Sequence, residues 1–156
     1  MNSEKIKKAK EVAKYLYEGK DIKHRSCGVA LAETFCLPTR PYASLRKGGV
    51  TGENECGAIL AGRLVLGELL GDPDPLAPIT PKLFDGMHLY KELCQKHLNT
   101  GAAKSYACYD LTQRFKDFDS QERKNFCGST VETVAGCVTE VLERLEVVYK
   151  LLNIAL

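Results

Sequence analysis

The chain has 156 residues, with 22 Lys plus Arg against 20 Asp plus Glu for a formal charge of +2. That length fits one domain around a single core, and interleaved charges of both signs argue against nucleic acid as the main partner. The opening MNSEKIKKAKEVAKYLYE has no apolar export region, and the longest mostly apolar stretch, Ala58 to Leu70, is broken by Arg63 and Glu68, short of the ~20 residues that span a bilayer; a cytoplasmic protein with no membrane span is expected.

Ser3 can cap a first helix that carries Ile6, Ala9, Ala13, Leu16 and Tyr17 at helical spacing and stops at Gly19. Ser26 is placed to cap a second, CGVALAETFC, which ends before Pro38. In the loop TRPYASLRKGGVTG, Gly48, Gly49 and Gly52 permit backbone angles closed to other residues. A third helix is predicted from about Glu53 to Leu70, where Gly57, Ala58, Ala61 and Gly62 form a small-residue strip that lets another backbone or a compact cofactor come close. Gly48, Gly49 and Gly57 are therefore the candidate cofactor-binding positions. DPDPLAPITP, residues 72–81, reads as a proline-rich connector between two helical halves of one domain.

Thr80 and Pro81 open a helix to about Asn99 that is ended by Thr100 and Gly101, and a short helix runs from Ser105 to Phe115. Val131, Val134, Val138, Val141, Leu145, Val148 and Leu152 then step along the chain at helical spacing, with Ala135, Leu142 and Tyr149 widening the stripe. The pattern predicts one long helix, either central to the bundle or facing a sister subunit in a homodimer. No run reads as strand, so the expected fold is all-α, a helical bundle of about five to six helices in a single domain over residues 1–156.

Seven cysteines without an export signal is a high count, because the cytosol keeps thiols reduced. Any one can be a small buried hydrophobe; together they point to reversible redox chemistry or metal binding. With the helix starts above, Cys27 follows its cap, Cys56 lies in a first turn, and Cys108 comes shortly after Ser105. Helix N-terminal amides and the dipole favour a thiolate, so the spacing predicts enhanced acidity at all three. Cys127 either precedes a helix opened by the capping-box pattern Ser129-Thr130-Val131-Glu132 or lies inside one unbroken helix from about Ser120.

Cys36, Cys94 and Cys137 sit within or at the end of apolar helical patterns and read as core residues. Cys94 and His97, at i and i+3, could share a metal but have no second pair beside them, and His24 and His88 have no partner. The absence of CxxC and CxxCH disfavours a thioredoxin-type dithiol, a zinc ribbon and covalent c-type haem. A GxxxxGK phosphate loop is missing too.

The segment GGVTGENECGAILAGRLVLGELLG resembles the signature of the C_GCAxxG_C_C family, which is named for redox activity and has four characteristic cysteines. Cys27 in SCGVALAETF resembles the first, Cys56 in ECGAILAG the second, Cys108 in YACYDLTQRF the third and Cys127 in KNFCGSTVE the last, with Cys137 competing for that place. The resemblance extends over most of the chain. A strict CGAxxG would put glycine at position 61, where this chain has Ala61 followed by Gly62. The resemblance implies cysteine-based redox chemistry at Cys27, Cys56, Cys108 and Cys127 and names no substrate.

The leading expectation is a thiol-dependent oxidoreductase or electron-transfer protein that exchanges electrons with a partner protein or small molecule. Cys56 would be the attacking thiolate, Cys27 or Cys108 would resolve the mixed disulfide, and Arg46 or Lys47 would lower thiol pKa. In the alternative, the same four thiolates hold a metal or an iron-sulfur cluster. A third reading is a helical scaffold or interaction protein with buried thiols.

Overall fold

The computed structural model describes all residues, Met1–Leu156. Helices α1 (Ser3–Glu18), α2 (Cys27–Thr34), α4 (Gly57–Leu70), α5 (Pro81–His97) and α7 (Gln121–Arg144) form the bundle. A 3-10 stretch (Arg40–Leu45), a single turn α3 (Arg46–Gly49) and the short α6 (Cys108–Thr112) connect them. There is no strand; a lone antiparallel bridge joins Glu55 and Ala107. The all-α expectation holds, and no helix is long and apolar enough to cross a membrane.

Local chemistry explains the helix ends. Asn2, one residue before the expected Ser3, caps α1 by accepting from the Glu4 and Lys5 amides at 3.1 and 3.3 Å, an interaction typically worth ~1 kcal/mol. Gly19 ends α1 at φ 63°, and a Cβ there would lie 2.6 Å from His24 backbone atoms, so glycine is required on both counts. Thr80 and Ser120 cap α5 and α7 through bonds to the Leu83 and Arg123 amides at 3.1 and 3.2 Å. The connector 72–80 has no helix of its own, as expected, and Pro81 takes the first position of α5.

Two helices end earlier than the apolar pattern predicts, for the same reason. After α2, Cys36 turns left-handed at φ 57° while the Leu37 amide closes onto the Ala32 carbonyl at 2.9 Å. After α7, Glu146 does so at φ 52° and the Val147 amide closes onto Leu142 at 3.0 Å. Both are Schellman closures. Cys36 is consequently exposed, correcting its reading as a core residue. Val148, a member of the predicted stripe, is 96% exposed. The tail beyond Glu146 is extended instead: Val147, Tyr149 and Leu151 are half-buried, Val148 and Lys150 exposed, and the Leu152 amide donates to the Thr34 carbonyl at 2.9 Å.

α7 is the central helix. Val131, Val134, Val138, Val141 and Leu142 are fully buried in one core with Ala9, Val12 and Leu16 of α1, Leu31 of α2, and Val65 and Leu66 of α4. The part of the stripe from Val131 to Leu142 is thus covered from within the chain, whereas Val148 is not. Small residues set the closest approaches: Tyr90 of α5 crosses α4 at Gly62, donating its hydroxyl to the Ile59 carbonyl at 2.8 Å, where a Cβ on Gly62 would stand 2.1 Å from the Tyr90 oxygen. The small-residue strip of α4 therefore receives Tyr90 at Gly62.

Candidate functional site

The C-terminal end of α1, the N-terminal ends of α2 and α4, the turn α3, α6 and the first turns of α7 surround a cavity of about 700 Å³, and Cys27, Cys56, Cys108 and Cys127 all line it. Residues 100 positions apart are brought together by backbone features that can be named.

Cys27 opens α2, and its sulfur rests on the start of α4 because Gly57 has no side chain; a Cβ there would lie 2.7 Å from Cys27 Sγ and 2.3 Å from the Leu45 carbonyl oxygen. Cys56 is the N-cap of α4, directly ahead of the helix's unpaired first amides, without a side-chain capping bond. The lone bridge joins its segment to that of Cys108: the Cys56 amide donates to Tyr106 at 2.7 Å and the Cys108 amide to Asn54 at 2.9 Å. That pairing also starts α4 at Gly57, later than the expected Glu53, and puts Cys108 rather than Ser105 at the head of its helix.

Above Cys108, Lys47, Gly48 and Gly49 are all left-handed, at φ 50°, 56° and 67°, so that Gly48 comes within 2.5 Å, measured from a notional Cβ, of Cys108 Cβ. The glycines proposed as cofactor positions are thus closely approached by other groups. Cys108 and Asn54 crowd Gly48, the Asn54 side chain crowds Gly49, and Leu45 and Cys27 crowd Gly57. Gly48 and Gly57 still form part of the cavity wall; Gly49 does not.

α7 runs unbroken from Gln121, which decides between the two readings of Cys127 and places it one turn after Arg123. The Arg123 guanidinium donates to the Tyr17 hydroxyl at 3.1 Å, and Arg123, Tyr17 and Cys127 line the same cavity wall. Arg123 is further held by the Phe118 carbonyl and stacks 4.0 Å over the Phe118 ring. Cys137, the rival for the last site position, lies elsewhere in the core and is absent from the cavity wall.

Burial outweighs the helix termini in setting thiol acidity. It pushes Cys27 up to about 11 although the Gly28 amide favours the thiolate, and it raises Cys56 further, with the nearby Cys27 adding to the rise against the Ile59 and Ala58 amides. Cys108 also rises through burial and the proximity of Cys127, opposed by Thr112, Arg123 and Lys47. The enhanced acidity predicted for these three is therefore overturned: the amides are present, but removing a thiolate from water costs more than they return. Lys47 does act on a site cysteine in the predicted sense, while the effect assigned to Arg46 does not emerge.

The wall is basic. Arg46, Lys47, Arg123 and Lys124 face Asp119 alone once Lys20 is paired with Glu18 at 3.2 Å. Sequence reasoning missed Arg123 and Tyr17. The i, i+4 spacing to Cys127 on an unbroken α7 could have found Arg123; nothing local could have found Tyr17. His24, assigned no partner, donates from Nδ1 to the Tyr17 carbonyl and lies on the cavity wall with its ring edge-on to Tyr17 at 4.9 Å.

All seven cysteines are free thiols. Nowhere do three or more His, Cys, Asp or Glu side chains gather as a set able to hold a metal ion, so the four site sulfurs share a cavity without forming a ligand cage and do not fit the metal alternative as they stand. Cys94 does not pair with His97, which is exposed; it contacts Cys137 instead. Comparison with protein-family models, with curated proteins and with solved structures finds no match.

Proposed function

We propose that the cavity is a thiol–disulfide redox centre acting on a small, anionic disulfide, with Cys127 as the attacking sulfur and Cys108 as the resolving one. The observation that carries this reading is the joint lining of one open cavity by Cys27, Cys56, Cys108 and Cys127, the four residues that match the C_GCAxxG_C_C pattern. Core thiols with no shared role have no physical reason to cluster on a polar, basic wall.

Cys127 takes the attacking role because Arg123 stands one turn before it on α7, with its guanidinium fixed by Tyr17 and Phe118 on the same cavity wall. Cys56, the attacker expected from its helix position, is held protonated by burial. In the reaction, the Cys127 thiolate attacks one sulfur of R–S–S–R, forming Cys127–S–S–R and releasing R–S⁻. Cys108 then attacks Cys127 Sγ; a Cys127–Cys108 disulfide forms, the second R–S⁻ leaves, and the Cys108 proton passes to a departing thiolate. Two electrons move from the protein to the substrate, and a small dithiol returns them in the reverse sense. The four cations on the wall favour carboxylate-bearing substrates, and Cys27 and Cys56, which line the same cavity, are the partners to which the disulfide would pass onward.

The test is thiol counting and peptide mapping after exposure to glutathione disulfide and again after dithiol reduction. The expected result is a reversible Cys127–Cys108 crosslink that Cys127→Ser abolishes. A folded protein in which none of the four site cysteines crosslinks would overturn the proposal.

A further inference from the structure

A second thiol pair lies outside this cavity. Cys94 on α5 and Cys137 on α7 are 2% and 3% exposed, belong to the same buried core, and lie near enough for each to shift the other's titration. The helices that present them are packed together: a Cβ on Gly86 of α5 would stand 3.3 Å from Leu145 and 3.4 Å from Val141 of α7. The Tyr90 hydroxyl, anchored on the Ile59 carbonyl at 2.8 Å, also contacts Cys94.

Cys94 is not sealed. It lines a separate cavity of about 200 Å³ together with the buried Tyr90 and with Met87, Lys91, Arg63 and Tyr106, none of these last four being buried. Lys91 and Arg63 give the cavity positive charge, although Arg63 is engaged by Glu55 at 2.9 Å. The cavity is smaller than the ~300 Å³ at which ordinary small-molecule pockets begin, so it can admit a hydroperoxide but not a peptide-sized disulfide.

We infer that Cys94 and Cys137 form a second, peroxide-reactive dithiol, with Cys94 reached by hydrogen peroxide or a small alkyl hydroperoxide through the smaller cavity and Cys137 as its resolving partner. Cys94 attacks the terminal peroxide oxygen; an S–O bond forms, the O–O bond breaks, and ROH leaves with the proton from Cys94. Cys137 then attacks the sulfenic sulfur, the S–S bond forms, and the hydroxyl departs as water with the proton from Cys137. The sum is two thiols plus ROOH giving one disulfide, ROH and water, with both electrons supplied by the thiols.

The local electrostatics favour this order. The neighbouring Cys137 pulls Cys94 below the ordinary thiol value against its burial. Cys94 is also the member that lines the cavity, whereas Cys137 does not reach it. The i, i+4 step from Tyr90 to Cys94 keeps the tyrosine beside the pair.

The experiment treats the full chain with hydrogen peroxide, and in parallel with glutathione disulfide, then blocks free thiols and maps peptides. The expected result is joint loss of the Cys94 and Cys137 thiols as one crosslinked peptide pair with peroxide, and retention of both with glutathione disulfide. In Cys137→Ser the sulfenic acid on Cys94 should persist and be trapped by a 1,3-dicarbonyl nucleophile. Should that variant fail to fold, the mapping on the unsubstituted chain decides alone. A folded chain whose Cys94 and Cys137 stay reduced in peroxide after the exposed Cys36 has been oxidised overturns the inference, as does crosslinking of the pair by glutathione disulfide at the rate seen with peroxide. The four-cysteine site is read separately in the same maps, so either centre can fail without the other.

Discussion

The contact between Gly57 and Cys27 predicts how an added methyl group will act at the site. In Gly57→Ala the new Cβ would meet the Leu45 carbonyl oxygen at 2.3 Å, Cys27 Sγ at 2.7 Å and the Leu45 carbonyl carbon at 3.0 Å. Two of those three atoms are backbone, so the strain cannot be relieved by rotating a side chain; either α4 or the 3-10 segment must move. Overpacking of this kind costs ~1–3 kcal/mol, against a gain of at most ~1 kcal/mol from replacing glycine with alanine in a helix. A 2.3 Å approach to backbone puts the cost at the upper end of that range, so strain should win by about 2 kcal/mol, lowering Tm by roughly 4–8 °C for a chain of this size.

Gly67→Ala, ten positions further along the same helix, supplies the control, because its Cβ would meet nothing within 4 Å. Only the helix gain applies there, and Tm should rise by roughly 2–4 °C. Thermal unfolding followed by circular dichroism reads both variants. A Gly57→Ala protein that melts at or above the parent temperature would refute the reasoning that glycine is needed to seat Cys27 on α4.

Other expectations follow from the same coordinates. Gly62→Ala places a Cβ 2.1 Å from the Tyr90 oxygen and must break its bond to Ile59, so urea unfolding should show a loss of about 2 kcal/mol or more. Cys27, raised to about 11 by burial, contributes stability that is complete below the unfolded thiol value near pH ~8.5 and is lost as pH rises through about 11; urea midpoints across that window should fall, and fall less in Cys27→Ala. Arg123→Gln removes a cation held by Tyr17 and Phe118 one turn before Cys127. Alkylation of Cys127 should slow in that variant while alkylation of the exposed Cys36 is unchanged, and equal rates at Cys127 would count against its role. Deleting residues 147–156 removes the Leu152–Thr34 bond and the Tyr149 hydroxyl from Glu143, for an expected loss of about 2 kcal/mol or more in denaturant unfolding.

The long apolar stripe after Ser129 announced a helix, and the helix exists, yet its predicted end was wrong. Leu145, Val148 and Leu152 fit helical spacing, but Val147, Tyr149 and Leu151 fit an extended alternation equally well. A short segment satisfies both periods, and the Schellman closure at Glu146, a residue with no glycine-like preference for φ 52°, selects between them. Cys36 misled for a related reason: apolar neighbours implied a buried thiol, while the turn that ends α2 faces it outward. The thiol acidities went the other way from the helix-terminus argument because dipoles act locally, whereas desolvation depends on everything packed around the sulfur.

Periodicity, caps, glycines and prolines were sufficient to read an all-α chain, its main helices and its proline connector, because those signals act within a few residues of backbone. The motifs also singled out Cys27, Cys56, Cys108 and Cys127 before their positions were known. Their meeting in one cavity, the bond of Arg123 to Tyr17 on the wall that carries Cys127, and the separate Cys94–Cys137 contact were decided by tertiary packing. Such contacts depend on helix crossings and on the Glu55–Ala107 bridge, which join residues remote along the chain and leave no trace in local spacing.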